Sequence, residues 1–215
     1  GAVAQLAHPI GNGVARSGAF SYDITSNEAT TTYTGESLSY PEGIKIDAAR
    51  HILVGDSGNG RVAVFDRSGE YLFELHIPRQ SDGSSGRPSG IALSPAASLK
   101  GAGNPAGSRL VVTDKYACTA YIYDAQTLEP AGRGQIGLGN CNNRGDALQP
   151  EDLQSVEGAA IDAQGHVYLA DYDRNRIEVF DADGNFLTAF GEPPLTGMNP
   201  PGALNGPTDV LVDHQ

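Results

Sequence analysis

Two glutamates hold the clearest capacity for chemistry in this chain. Glu42, in Tyr40-Pro-Glu-Gly-Ile-Lys-Ile-Asp47, and Glu157, in Val156-Glu-Gly-Ala-Ala-Ile-Asp162, each stand directly before a glycine at the same place of two similar stretches. Ser89 and Thr208 hold that place in Pro88-Ser-Gly-Ile-Ala-Leu-Ser94 and Gly206-Pro-Thr-Asp-Val-Leu-Val-Asp213. Carboxylates with hydroxyls nearby are hard oxygen donors suited to Ca²⁺ or another divalent cation. Such an ion could polarise a carbonyl or activate water. The competing expectation is that the glutamates bond strand-start amides or water, and spacing alone leaves both open.

Other residues with chemical potential are fewer. Cys118 and Cys141 are the only cysteines and lack CxxC spacing, so they form either a disulfide or two buried thiols. Gly132-Arg-Gly-Gln-Ile-Gly137 matches GxGxxG literally, but no helix pattern follows it. It reads as a loop. There is no Gly-x-Ser-x-Gly elbow and no His-Glu-x-x-His pair. A catalytic nucleophile is thus unidentified.

The elements that must position these residues come from an internal repeat. After the first stretch come His51-Ile-Leu-Val-Gly-Asp56, Arg61-Val-Ala-Val-Phe-Asp66 and Tyr71-Leu-Phe-Glu-Leu75. The same order returns as His166-Val-Tyr-Leu-Ala-Asp171, Arg176-Ile-Glu-Val-Phe-Asp181 and Phe186-Leu-Thr-Ala-Phe190. A looser copy contains Arg109-Leu-Val-Val-Thr-Asp114 and Ala120-Tyr-Ile-Tyr-Asp124. Each unit has β-branched or aromatic runs punctuated by Gly, Asp, Asn and Pro, the pattern of a four-stranded antiparallel sheet. No stretch has helical periodicity. The expectation is an all-β propeller of one domain, 1–215, with blades at about 40–79, 87–132 and 155–191. A fourth blade combines 206–215 with 11–35 and pairs the C-terminal strand with the N-terminal strands, which removes open sheet edges.

These repeats resemble the NHL repeat of NHL-type β-propellers. The resemblance rests on Pro41-Glu-Gly-Ile-Lys-Ile-Asp47, Val54-Gly-Asp-Ser-Gly-Asn-Gly-Arg-Val62 and Ala63-Val-Phe-Asp66. Asp56, Asn59 and Arg61 match the family's Asp-x-x-Asn-x-Arg element. The third unit keeps Asp171 and Arg176 with Arg174 at the Asn position, and the second keeps Asp114 but has Thr119 for the Arg. Their recurrence in each unit marks them as structural, through hydrogen bonds or ion pairs that fix loops. A more distant similarity to gluconolactonase/regucalcin-type propellers implies a metal held by acidic residues at the position of Glu42 and Glu157.

In a propeller the inter-blade connections and the loops joining second to third strands share one face. The long connections are 76–87, 131–155 and 188–207, and long loops on a rigid scaffold are where binding concentrates. The chain carries 14 Lys+Arg against 26 Asp+Glu, a net charge of −12. That balance opposes binding to nucleic acid, and no apolar run is long enough for membrane insertion by a helix. Two functional expectations follow. One is a non-catalytic extracytoplasmic binding or scaffolding module, taking a protein or glycan partner on the long-loop face or self-assembling within a larger assembly. The other is a divalent-metal-dependent hydrolase resembling propeller lactonases and esterases. Few lysines, an acidic surface and a potential disulfide favour a secreted or extracytoplasmic setting.

Overall fold

Short β-branched runs separated by Asp-x-x-Gly turns leave the backbone little choice but antiparallel hairpins. At the first such turn, Asp66 Oδ1 accepts the amides of Ser68 (2.8 Å) and Glu70 (2.9 Å), while Gly69 takes φ 86°. Asp181 repeats this with Asp183 (3.0 Å), Asn185 (2.9 Å) and Gly184 at φ 87°. The computed structural model describes residues 21–23, 28–30, 37–80, 83–137, 141, 149, 152–191 and 200–213.

Three four-stranded antiparallel sheets result. Among the described residues, strands β1 (Ser21–Asp23) and β2 (Glu28–Thr30) pair only with each other. The first blade runs β3 (Pro41–Ile46), β4 (Ile52–Asp56), β5 (Arg61–Phe65) and β6 (Tyr71–His76) in sequential order. The second is β7 (Ile91–Leu93), β8 (Arg109–Asp114), β9 (Thr119–Asp124) and β10 (Pro130–Ile136). The third is β11 (Val156–Ile161), β12 (Val167–Asp171), β13 (Arg176–Phe180) and β14 (Phe186–Phe190). The expected loop at 132–137 is instead mostly strand. Gly132 and Gly134 take φ 57° and 74°, so β10 bulges between Pro130 and Gln135 rather than ending there.

The blades pack face to face. Leu53, Val62 and Val64 of the first meet Ile91, Leu93, Leu110, Tyr121 and Tyr123 of the second. Ala92, Val111 and Ile122 of the second meet Ile161, Leu169 and Phe180 of the third. Alternate residues therefore serve two neighbours, which is why the strands are almost continuously apolar. At the axis, backbone meets backbone. A Cβ on Gly43 would collide with the Ser89 carbonyl oxygen, one on Gly90 with that of Glu157, and one on Gly158 with Asp209 and the Thr208 carbonyl. Residues 208–211 thereby take the fourth place around a channel of about 380 Å³.

Residues 206–213 form no ladder among the described residues. Ile44 and Ile46 of β3 are 65% and 62% exposed, whereas Ile91 and Leu93, at the same repeat positions, are 6% and 5% exposed. Leu211 is 88% exposed. If a fourth blade from 206–215 and 11–35 closes the ring, Ile44→Lys with Ile46→Lys will cost about 3 kcal/mol or more, read by urea unfolding. A change within about 0.5 kcal/mol would mean that this face of β3 stays in water.

Candidate functional site at the channel mouth

The pairing of β3 with β4 slips between Pro41 and Ile44, and that of β11 with β12 slips between Val156 and Ala159. Both irregularities fall on the Glu-Gly pair. A bulge redirects side chains, and here it sends Glu42 and Glu157 into the lining of the channel, with Ser89 and Thr208. Lys115, from the turn after β8, reaches between the two carboxylates. Its Nζ lies 2.8 Å from Glu42 Oε2 and 3.7 Å from Glu157 Oε2. Partial burial works against the ammonium, but the Glu42 hydrogen bond and the charges of Glu157 and Glu42 outweigh it and raise its pKa. The two glutamates therefore share a cation supplied by the chain.

Ser89 and Thr113 knit the strands beneath. Thr113 Oγ1 accepts the Gly90 amide (2.7 Å), donates to the Glu157 carbonyl and lies 3.0 Å from Ser89 Oγ. A divalent ion recruiting Ser89 would compete with these bonds. Among the described residues, no group of three or more His, Cys, Asp or Glu is placed to hold a metal. Lys115 escaped the sequence reading because it occurs once, at the place held by Ser57 and Tyr172 in the other blades.

The repeated aspartates perform one task. Asp56 accepts the Ser39 amide (2.6 Å), Asp114 that of Arg87 (2.8 Å), and Asp171 those of Gln154 (2.9 Å) and Ser155 (3.2 Å). Each clamps the segment entering its own blade. Asp56 also receives Asn59 Nδ2 (2.8 Å) and Arg61 Nε (2.7 Å), and Arg61 continues to Glu74. In Glu74 the Arg61 and Tyr71 hydrogen bonds overcome burial and lower the carboxyl pKa. Burial prevails at Asp114 and Asp171, whose pKa values rise despite their amide bonds. The inner-strand ends are also caps: Asp47 and Asp162 each accept the amide of the histidine four residues on, His51 and His166, at 2.8 Å.

Arg176 takes a different acid. Its Nε and Nη2 donate to Glu178 Oε1 at 2.9 and 2.7 Å. Glu178 is fully buried, and its Oε2 has no hydrogen-bond partner. Burial, opposed by Arg176 and Arg174, pushes its carboxyl up to about 7. Its place in the repeat is Ala63 in the first blade, so repetition could not reveal it.

The long-loop face above carries the remaining features. Cys118 and Cys141 are joined in a disulfide, S–S 2.06 Å, fastening the loop after β10 to the turn after β8. Tyr40, Tyr116 and Tyr172 lie exposed on this face, just before β3 or just after β8 and β12. Gly206 N donates to Asn175 Oδ1 (2.8 Å) and packs by the Tyr172 ring, tying the C-terminal segment to the same face.

Blades of this order, with inner-strand glycines at an axial channel and aspartates clamping the blade entries, define a β-propeller-type protein. The NHL repeat profile matches residues 38–65 and 153–180, within the first and third blades. Protein brain tumor of Drosophila melanogaster is 24% identical over 154 residues, covering 70% of this chain but 12% of that protein. Among solved structures, virginiamycin B lyase from Staphylococcus aureus superposes with TM-score 0.51 at 14% identity, covering 80% of this chain and 47% of that one. The RRP9 WD40 repeats superpose with TM-score 0.50 at 16% identity, covering 72% and 39%. The chain thus spans about an eighth of the curated relative and less than half of these structures.

Two measurements probe the charges. Glu178 binds its proton more tightly folded than unfolded, because its usual value of 4.5 rises to about 7. Its contribution to stability is full below about pH 4.5 and is lost as pH climbs through 7. Glu178→Gln should flatten the decline in urea-unfolding stability between pH 5 and 8, and curves parallel to wild type would exclude this titration. Lys115→Met removes the shared ammonium, so Ca²⁺ should raise the melting temperature of that variant and not of the parent. A Ca²⁺-dependent rise in the parent, abolished by Glu42→Gln, would show that a metal displaces the ammonium.

Proposed function

We propose that this chain is a non-catalytic, protein-binding propeller scaffold acting through its long-loop face in a secreted or other extracytoplasmic setting. The observation that carries this reading is the placement of Tyr40, Tyr116 and Tyr172. Three exposed tyrosines share one face around the channel mouth, and exposed aromatics on a rigid frame are the residues that dominate protein interfaces. NHL and WD40 propellers as a type bind proteins, which supports the same conclusion. The disulfide supports an oxidising compartment. The hydrolase reading is weaker, because the Lys115 ammonium already stands between the carboxylates that a metal would need.

The test is selection of a random peptide library on the full, oxidised chain. Enriched peptides should bind the parent and lose about tenfold or more in affinity on a Tyr40→Ser, Tyr116→Ser, Tyr172→Ser variant. A Leu72→Ser control, on an outer strand, should bind as the parent does. No enrichment, or peptides indifferent to the three tyrosines, would sink the proposal. Reduction of the disulfide should weaken the same binding, and indifference to reduction would remove the support for an oxidising setting.

A further inference from the structure

On the same face, a cleft of about 410 Å³ opens between the first and second blades. Ser57, Gln80, Ser85, Arg87 and Tyr116 contribute to its lining, and among the described residues no carboxylate does. The Arg87 guanidinium lies 4.6 Å from the centre of the Tyr116 ring, a cation–π contact, and Lys115 Nζ lies 5.4 Å from the same ring. Arg87 makes no side-chain hydrogen bond or ion pair among the described residues. Its backbone amide is the group bound to Asp114, whose oxygens are committed to the amides of Arg87, Tyr116 and Ala117. Ser57 is only 4% exposed, yet it lines the cleft, and among the described residues its hydroxyl makes no hydrogen bond.

We infer that this cleft receives a carboxylate of a bound peptide, an acidic side chain or a C-terminus, with Arg87 as its cation and the Ser57 hydroxyl as a second donor. The inference rests on the protein-binding reading and adds the chemistry that the partner must present. A stacked guanidinium offers paired N–H donors matched to a carboxylate. One guanidinium balances one carboxylate charge, whereas a phosphate group carries about −1.5 to −2. Backbone donors that could cradle a phosphate are already used, since Gly58 N bonds Ser39 O (2.8 Å) and Gly60 N bonds Ser57 O (3.4 Å).

The experiment is NMR titration of the full, oxidised ¹⁵N-labelled chain with three probes: acetyl-tetraglutamate amide, its tetraglutamine analogue and inorganic phosphate. The glutamate peptide should shift the Ser57 and Ser85 amides saturably, and the glutamine peptide should not. Arg87→Gln should weaken the response about tenfold or more, with its spectrum overlaying the parent's away from the cleft. Arg87→Lys should restore it only in part, because charge returns without the planar stack. Saturation by phosphate in preference to the glutamate peptide would overturn the carboxylate assignment. No saturable shift with any probe would overturn the site. If tyrosine-dependent peptides are selected but show no acidic residue and ignore Arg87→Gln, this inference falls while the protein-binding reading stands. A selection that enriches nothing removes that reading.

Discussion

The buried aspartate at the end of each second strand is the interaction on which the remaining architecture depends. Asp56, Asp114 and Asp171 are fully buried, and each accepts amides from the segment that carries the chain into its own blade. A carboxylate withdrawn from water is costly unless it is hydrogen-bonded, so each can exist only with that entry segment in place. The dependence runs both ways. The entry segment has no ladder of its own, and the aspartate supplies the acceptor that its amide would otherwise lack. Where the chain enters a blade, the direction of the inner strand follows, and so does the place of the residue preceding its glycine.

That place is where architecture becomes electrostatics. The glycines permit successive inner strands to approach through their backbones, which narrows the axis and brings the first and third blades within reach of one lysine from the second. Glu42 and Glu157 would repel each other across such a channel. Lys115 turns the repulsion into a bridge joining three blades at the mouth, with partly buried groups that screen less than surface pairs would. The disulfide lies three residues beyond Lys115, so the turn that presents the ammonium is also the turn fastened to the longest connection.

Much of this was legible in the residues because it repeats. The Asp-x-x-Gly turns, the aspartates, the strand order and the glutamates before glycine recur, and recurrence separates a structural requirement from chance. What occurs once could not be read this way. Lys115, Glu178 and Arg87 each stand where the other blades carry something else, and their roles depend on contacts between blades that spacing does not encode. The Gly132–Gly137 stretch failed for another reason. Glycine density is compatible with a loop or a bulged edge strand, and only packing against Asp183, whose carbonyl accepts the Arg133 amide at 2.8 Å, selects the strand. The fourth blade lies between these cases: its inner segment takes its place by the Gly158 contact, while Ile44 and Ile46 remain without the cover that their counterparts have.

The acidic balance takes on a different meaning once its members are placed. Asp66, Asp124 and Asp181 hold turn amides, and Asp47 and Asp162 cap inner strands. Their charge is a by-product of building hairpins with aspartate caps, and it lies at strand ends, not in one patch. The cations are fewer, and several are held within the fold: Arg61 by Asp56 and Glu74, Arg176 by Glu178, and Lys115 by the channel glutamates. In such a protein, net charge says little about partners. A cation whose side chain is left over by the fold says more, because every other force in the chain favours its neutralisation from within.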